Sequence, residues 1–157
     1  EQGRRQVSIF KIIAVEHNPI PPKAVYRSPD DILTLIADDG RKVELRLSGD
    51  CCSSSYFEKR SVDDVKALVG QTLLDIDSVE SAIADYKVES TEENDYNGGT
   101  FQYHAVRIKT DKETIVVDWR NESNGYYDGQ CTITGWKPKT PPEDYDYNYR
   151  WADLEEA

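Results

Sequence analysis

The sequence has 157 residues, enough for one domain that buries roughly two thirds of the surface of its unfolded chain. Its 30 acidic and 19 basic residues give a net charge of −11, which argues against direct contact with nucleic acid or with an anionic membrane. No stretch approaches the roughly 20 apolar residues of a membrane helix, and three cysteines are an odd number for a secreted disulfide framework. A cytoplasmic protein is therefore expected.

The N-terminal part of the chain is predicted to form strands joined by turns. Residues 6–16 are rich in β-formers and lead into the proline-rich residues 18–22, which indicates a strand with a stiff exit. Residues 32–37 and 42–47 flank Asp38-Asp39-Gly40-Arg41, a pattern typical of a β-hairpin. Because apolar and charged residues alternate in the second arm, one of its faces is expected in the core. The core residues of that arm are Val43, Leu45 and Leu47.

One short helix is predicted at residues 61–70. Ser61 is a candidate N-cap, Asp64 lies in the first turn where negative charge is favourable, and Gly70 is typical of a C-terminal stop. The apolar residues share one side of the helix. Since a helix of about two and a half turns is unstable alone, it is expected to pack on a sheet.

The C-terminal part is predicted to contain a three-stranded meander, with strands at residues 101–109, 114–120 and 126–136. The turn before the last strand carries Asn124-Gly125, a strong hairpin signal. Residues 72–89 fit two short strands, one bent strand, or a helix over 79–86, and residues 90–99 indicate a loop. The predicted fold is α+β, with a twisted, mainly antiparallel sheet of about five to seven strands and one short helix packed on it.

Residues 1–136 are predicted to form this single domain, and residues 137–157 a proline-led connector and acidic aromatic tail docked on it. Residues 143–156 hold six acids against one arginine, a net charge of −5. Aromatic residues are enriched in binding surfaces, and an acidic frame attracts basic partners. The candidate partner-binding residues are Asp144, Tyr145, Asp146, Tyr147, Tyr149 and Trp151. The alternative is that these rings fold back into the core.

The adjacent Cys51 and Cys52 are the most conspicuous pair in the chain. Strand alternation places Cys51 toward the core and Cys52 on the opposite face. The interpretations are a small buried apolar residue with a partly covered neighbour, an activated thiolate, or a disulfide with Cys131. Zinc sites usually use cysteines about two to four residues apart, so no metal site is predicted.

A second candidate site gathers an acid, a guanidinium, an amide and rings around the predicted meander. The possible pocket residues are Cys52, His104, Asp118, Arg120, Asn124 and Tyr127. Such residues suit a small-ligand surface, whereas two isolated histidines predict no catalytic triad and no catalytic residue. The alternative is structural: a turn at Asn124, a half-buried His104 and cross-strand packing of aromatic rings.

Two of these segments carry a recognisable pattern, Gly49-Asp50-Cys51-Cys52-Ser53 and Glu122-Ser123-Asn124-Gly125-Tyr126-Tyr127. The pattern resembles a family of small proteins, common in bacteriophage and actinobacterial genomes, that pair an Asp-Cys-Cys motif with a later Glu-Ser-Asn-Gly-Tyr-Tyr. The resemblance covers residues 32–133 and leaves the N-terminal strand and the tail outside. Members usually have an acid after the cysteines, where this chain has Ser53. The resemblance implies a shared fold and a phage-linked context, but no chemistry.

The first function predicted is a non-enzymatic, acidic binding protein of phage or mobile-element type. Its carboxylates would occupy the basic, nucleic-acid-binding surface of a host protein, in a manner sensitive to salt. One alternative is a small enzyme or ligand sensor that uses Cys52, His104, Asp118 and Arg120. Another is a structural homo-oligomer formed through the tail. No cofactor, direct nucleic-acid contact or membrane partner is predicted.

Overall fold

The computed structural model describes residues 9–18, 30–49, 53–78, 91–94, 99–123, 129–137 and 149–152. These ranges contain ten strands and one helix. The strands are β1 (Phe10–Asn18), β2 (Asp31–Ala37), β3 (Lys42–Gly49), β4 (Ser54–Phe57), β5 (Thr72–Ser78), β6 (Thr91–Asn94), β7 (Gly99–Thr110), β8 (Thr114–Ser123), β9 (Gly129–Thr134) and β10 (Tyr149–Trp151). The helix, α1, is Lys59–Lys66, and no helical segment in the described ranges is long and apolar enough to cross a membrane.

The strands form one sheet with two halves that share β1. The order is β10-β9-β3-β2-β1-β5-β7-β8-β4, and β6 pairs with β7 off this path. Every described pair is antiparallel except β9 with β10. Phe10 and Lys11 pair with β5, the rest of β1 pairs with β2, and a bulge lies between Ile12 and Ala14. Because bulged strands bend, β1 can belong to both the β2–β3 half and the β7–β8 half.

The core lies between the two halves, and buried apolar side chains from both form one cluster. Tyr149 of β10 links them directly. Its hydroxyl accepts a hydrogen bond from the Ala105 N–H at 3.0 Å and donates one to the Ala105 carbonyl at 2.6 Å. Ala105 lies on β7 between the segments that pair with β6 and with β5. Tyr149 therefore bonds the N–H and the carbonyl of Ala105, a residue that pairs with neither β5 nor β6.

The mainly antiparallel sheet and the single short helix confirm the predicted fold class, but ten described strands exceed the five to seven predicted. β6 falls in residues 90–99, where a loop was expected. β4, β6 and β10 have only three or four residues each, too few for an apolar alternation to stand out in the sequence. Residues 79–86, the alternative helix, lie outside the described ranges.

The predicted hairpin between the last two meander strands is wrong. β8 continues to Ser123 and pairs with β7 and β4, whereas β9 pairs with β3 and β10 in the other half. The burial of β9 explains its position, because Cys131 and Ile133 are fully buried opposite Leu47 and Leu45 of β3. Core formation across distant segments outweighs a local turn signal.

The predicted N-cap of α1 is also wrong. The helix begins at Lys59 after Glu58, which makes no side-chain capping hydrogen bond. Ser61 is buried in the first turn, and its Oγ accepts the N–H of Asp118 on β8 at 2.8 Å. The Glu58 N–H donates to the Asp118 carbonyl at 3.0 Å. β4 and the start of α1 are therefore both bonded to β8. These bonds place α1 beside β8, where the pocket described next is formed.

Candidate functional site

A pocket of about 640 Å³ lies between α1 and the strands β7 and β8. Its volume falls within the range of roughly 300–1,000 Å³ that is usual for small-molecule sites. Its lining residues are Glu58, Arg60, Ser61 and Asp64 around α1, Tyr103 and His104 on β7, and Ile115, Val116, Asp118 and Arg120 on β8. The pocket therefore combines five charged groups with apolar walls.

Asp118 is the residue around which the pocket is built. Its backbone is bonded on both sides to the start of α1, through Ser61 and Glu58, so its side chain is held at the pocket wall. Burial raises the pKa of the half-buried Asp118 carboxyl to about 6; the nearby Glu58 carboxylate adds to this rise, and Arg60 and Arg120 oppose it. A carboxylate that ionises at a cost in a concave site is a candidate functional group.

Arg120 is held in a fixed position beside Asp118. Its Nε donates to Glu58 Oε2 at 2.9 Å, and its guanidinium carbon lies 4.8 Å from the centroid of the Tyr103 ring. Next to it, the Tyr56 hydroxyl donates to Glu122 Oε2 at 2.5 Å, and burial raises the pKa of that tyrosine above its usual range. Within the pocket, Arg120 and Glu58 therefore neutralise each other.

The other charges of the pocket are not matched in this way. Asp118, Asp64 and Arg60 make no ion pair with any residue in the described part of the chain. Counting acids and arginines alone, three carboxylates face two guanidinium groups, a net charge of −1 when Asp118 is ionised. These groups are available to a ligand.

His104 is held by aromatic packing. Its ring stacks on Trp119 with centroids 4.3 Å apart and meets Tyr149 edge-on at 6.4 Å. The Trp119 side chain is fully buried. This environment is typical of a packed histidine that forms one wall of a pocket and has little freedom to act as a base.

The structure brings three of the six predicted pocket residues together: His104, Asp118 and Arg120 line one cavity. Cys52, Asn124 and Tyr127 lie outside the described residues, as do Asp144, Tyr145, Asp146 and Tyr147 of the tail. Tyr149 and Trp151 are 7% and 6% exposed, so their rings belong to the core and are not presented to a partner. Glu58, Arg60, Asp64 and Tyr103 were not foreseen as site residues.

Cys131 is a free thiol on β9 and is fully buried, and burial raises its pKa above the usual range. It therefore packs as a small apolar residue, and the disulfide alternative at Cys131 is wrong. Across the described ranges, no three His, Cys, Asp or Glu side chains are grouped so that they could hold a metal ion.

We expect Asp118→Asn to raise the free energy of unfolding by about 1 kcal/mol at pH 7. A pKa raised from 3.8 to about 6 corresponds to about 3 kcal/mol, which solvent screening reduces because the carboxyl is half exposed. The folded state holds the proton of the Asp118 carboxyl more tightly than the unfolded state does. The stability that this carboxyl contributes is therefore fully present below pH 3.8 and is lost as the pH rises through 6. The gain from asparagine should therefore disappear in acid.

Urea denaturation at several pH values measures this gain. Asp63→Asn is the matched control, because Asp63 lies on the adjacent helix α1 outside the pocket lining, is exposed, and is bonded to Lys59 at 3.2 Å. An Asp118→Asn protein that is less stable than the wild type at pH 7 would contradict the expectation.

A family model described as a domain of unknown function (DUF7448) matches residues 3–133. The match covers most of the chain, so the chain belongs to this family. It begins ahead of β1, and the expectation that the N-terminal strand falls outside the family is therefore wrong. No curated protein and no solved structure matches the chain.

Proposed function

We propose that this member of the DUF7448 family is a ligand-binding protein whose pocket between α1, β7 and β8 takes a small polar molecule. The observation that carries the proposal is the Asp118 carboxylate, held half-buried beside Glu58 with no ion-pair partner in the described part of the chain. Natural proteins tend to retain such destabilising groups where function needs them. The apolar wall of Ile115 and Val116 adds the contact area that a small ligand requires.

The arrangement favours binding over catalysis. His104 is packed against Trp119, and the Arg120 guanidinium is bonded to Glu58. Ser61 Oγ accepts the Asp118 N–H and is not bonded to a histidine in the described part of the chain. A nucleophile bonded to a base, the usual sign of covalent catalysis, is thus not formed by the described lining residues.

A thermal-shift screen of amines, carboxylic acids, sugars and nucleosides tests the proposal. Ligands should raise the Tm of the wild type and of Asp63→Asn, since Asp63 does not line the pocket. They should fail to raise the Tm of Val116→Phe, which fills the pocket without changing its charge. Hits that stabilise Val116→Phe as well as the wild type, or a screen without hits, would contradict the proposal.

The acidic, protein-binding function stays a second proposal, with its phage or mobile-element setting and cytoplasmic location. The observation that favours it is the net charge of −11, of which residues 143–156 contribute −5. Several described carboxylates are paired with arginine, as in Asp30–Arg46, Asp39–Arg41 and Asp77–Arg107. A basic partner would therefore be met mainly by the acids of the tail. Oligomer formation through the tail likewise remains a prediction.

Removal of the whole tail would not test this second function, because β10 supplies Tyr149 and Trp151 to the core. Neutralising Asp153, Glu155 and Glu156 leaves β10 intact. Salt-sensitive binding to a purified basic host protein should be lost in this triple variant. Binding that survives both the substitutions and high salt would contradict a tail-mediated electrostatic mechanism.

A further inference from the structure

We propose that the pocket binds a cationic nitrogen group, an ammonium or a guanidinium, between the carboxylates of Asp118 and Asp64. The inference rests on the ligand-binding function proposed above and names the chemical class of the ligand. Three features support it: the charged residues that line the pocket, the aliphatic wall of Ile115 and Val116, and the way the pocket binds the guanidinium of Arg120.

The sign of the ligand follows from the charges that the pocket leaves unmatched. Glu58 and Arg120 cancel at 2.9 Å, which leaves Asp64, Asp118 and Arg60. Their sum is −1, so a monovalent cation makes the pocket neutral, whereas an anion makes it −2. The carboxylates of Glu58 and Asp64 already raise the pKa of Asp118 by repulsion, and an added anion would increase this repulsion.

The walls favour an organic cation over a bare ion. Ile115 and Val116 provide aliphatic surface, and the described residues offer no cluster suited to a metal. Arg120 shows how a guanidinium is accommodated here, because it lies over the Tyr103 ring and bonds to a carboxylate at the same time. A ligand cation placed between Asp118 and Asp64 would likewise be bonded to carboxylate oxygens, and its hydrocarbon part would lie against Ile115 and Val116.

Binding of a cation should depend on pH through Asp118. The charged or titratable groups that face it are Glu58 before α1, Arg60 and Asp64 on α1, Tyr103 and His104 on β7, and Arg120 on β8. A cation favours the ionised carboxylate, so affinity should fall as Asp118 takes up its proton. With a midpoint near pH 6, binding is expected to be about tenfold weaker at pH 5 than at pH 7.

Nuclear magnetic resonance titration of the full chain tests the inference. The free cations n-butylamine and n-butylguanidine represent a small-molecule source, and the amide of N-acetyl-lysine represents a protein side chain. The amide of N-acetyl-norleucine is the neutral match, and butyrate is the anion. The cations should shift the amide signals of Ser61 and Asp118, and the affinity should drop at least tenfold in Asp118→Asn and in Asp64→Asn. Asp63→Asn should bind as the wild type does.

The possible outcomes separate this inference from the proposed function. If butyrate or the norleucine compound shifts the pocket signals and the cations do not, the cationic class is wrong and a ligand-binding pocket stands. If no probe shifts them and the thermal-shift screen finds another ligand, the cationic class is wrong and the ligand-binding pocket stands; if neither experiment finds a ligand, both proposals are overturned. If the cations bind, a higher affinity for the lysine compound than for n-butylamine assigns the group to a protein side chain, and equal affinities assign it to a free amine.

Discussion

Asp31→Ala is expected to lower the free energy of unfolding by about 2–4 kcal/mol, because it leaves two hydrogen-bonding groups without a partner, at a cost of about 1–3 kcal/mol for each buried group. Asp31 is 2% exposed at the start of β2. Its Oδ2 accepts the Phe57 N–H of β4 at 2.9 Å, and its Oδ1 lies 2.7 Å from His17 Nε2 of β1. One carboxylate therefore ties three strands together, and alanine leaves two polar groups without their partner.

The neighbouring Asp30 is a matched control. It forms an exposed ion pair with Arg46 at 3.0 Å, a kind of contact worth at most about 1 kcal/mol. Burial raises the pKa of Asp31 and the hydrogen bonds from Phe57 and His17 oppose that rise, so the carboxylate depends on both partners. Asp31→Asn keeps one acceptor oxygen and should fall between the wild type and Asp31→Ala.

Urea denaturation followed by tryptophan fluorescence gives these free energies directly. The expected order of stability is wild type, Asp30→Ala, Asp31→Asn and Asp31→Ala, with the last clearly separated. Equal losses for Asp30→Ala and Asp31→Ala would show that the three-strand contact does not hold the fold together.

Tyr149→Phe should lower the free energy of unfolding by about 1–3 kcal/mol, because the N–H and carbonyl of Ala105 would both lose a partner in the core. The ring remains, so the change isolates the hydroxyl. The Tyr149 ring meets Trp119 edge-on at 5.9 Å, and this contact is expected to survive.

Amide hydrogen exchange distinguishes this local effect from general loosening. In Tyr149→Phe, the Ala105 amide should exchange faster by a larger factor than the amides of β3, which lie in the other half of the sheet. Unchanged protection of Ala105 would mean that the two halves are held together by other contacts.

Local features of the fold could be predicted from the sequence. Val43, Leu45 and Leu47 are at most 1% exposed, as the alternation of apolar and charged residues predicted. Gly40 has a φ of 92°, which few residues other than glycine adopt without cost, and it lies in the turn between β2 and β3 as expected. These features depend on neighbours in sequence, which is why a pattern reveals them.

The long-range pairings could not be predicted in this way. Periodicity indicates which residues of β9 face the core but not which strand pairs with it, and β9 pairs with β3, 80 to 90 residues earlier in the chain. His17 lies near the end of β1, and nothing in its local sequence indicates that it contacts Asp31 on the paired strand β2. Such contacts depend on strand register, which a single sequence does not encode locally.

The site shows the same division. Asp118 and Arg120 stand two residues apart on β8, so their shared face follows from strand geometry. Glu58 and Asp64 are about 60 residues away in sequence, and the buried Ser61 joins them to β8 through the Asp118 N–H. The sequence did not predict this hydrogen bond, because a serine ahead of an apolar run is usually a helix N-cap.

Titration of the Asp118 carboxyl by carbon nuclear magnetic resonance, with and without the amide of N-acetyl-lysine, tests the central claim most directly. We expect a midpoint at about pH 6 in the free protein, and a lower midpoint when the cation is bound because the cation favours the ionised form. A midpoint near the ordinary value of 3.8 that the cation does not move would contradict it.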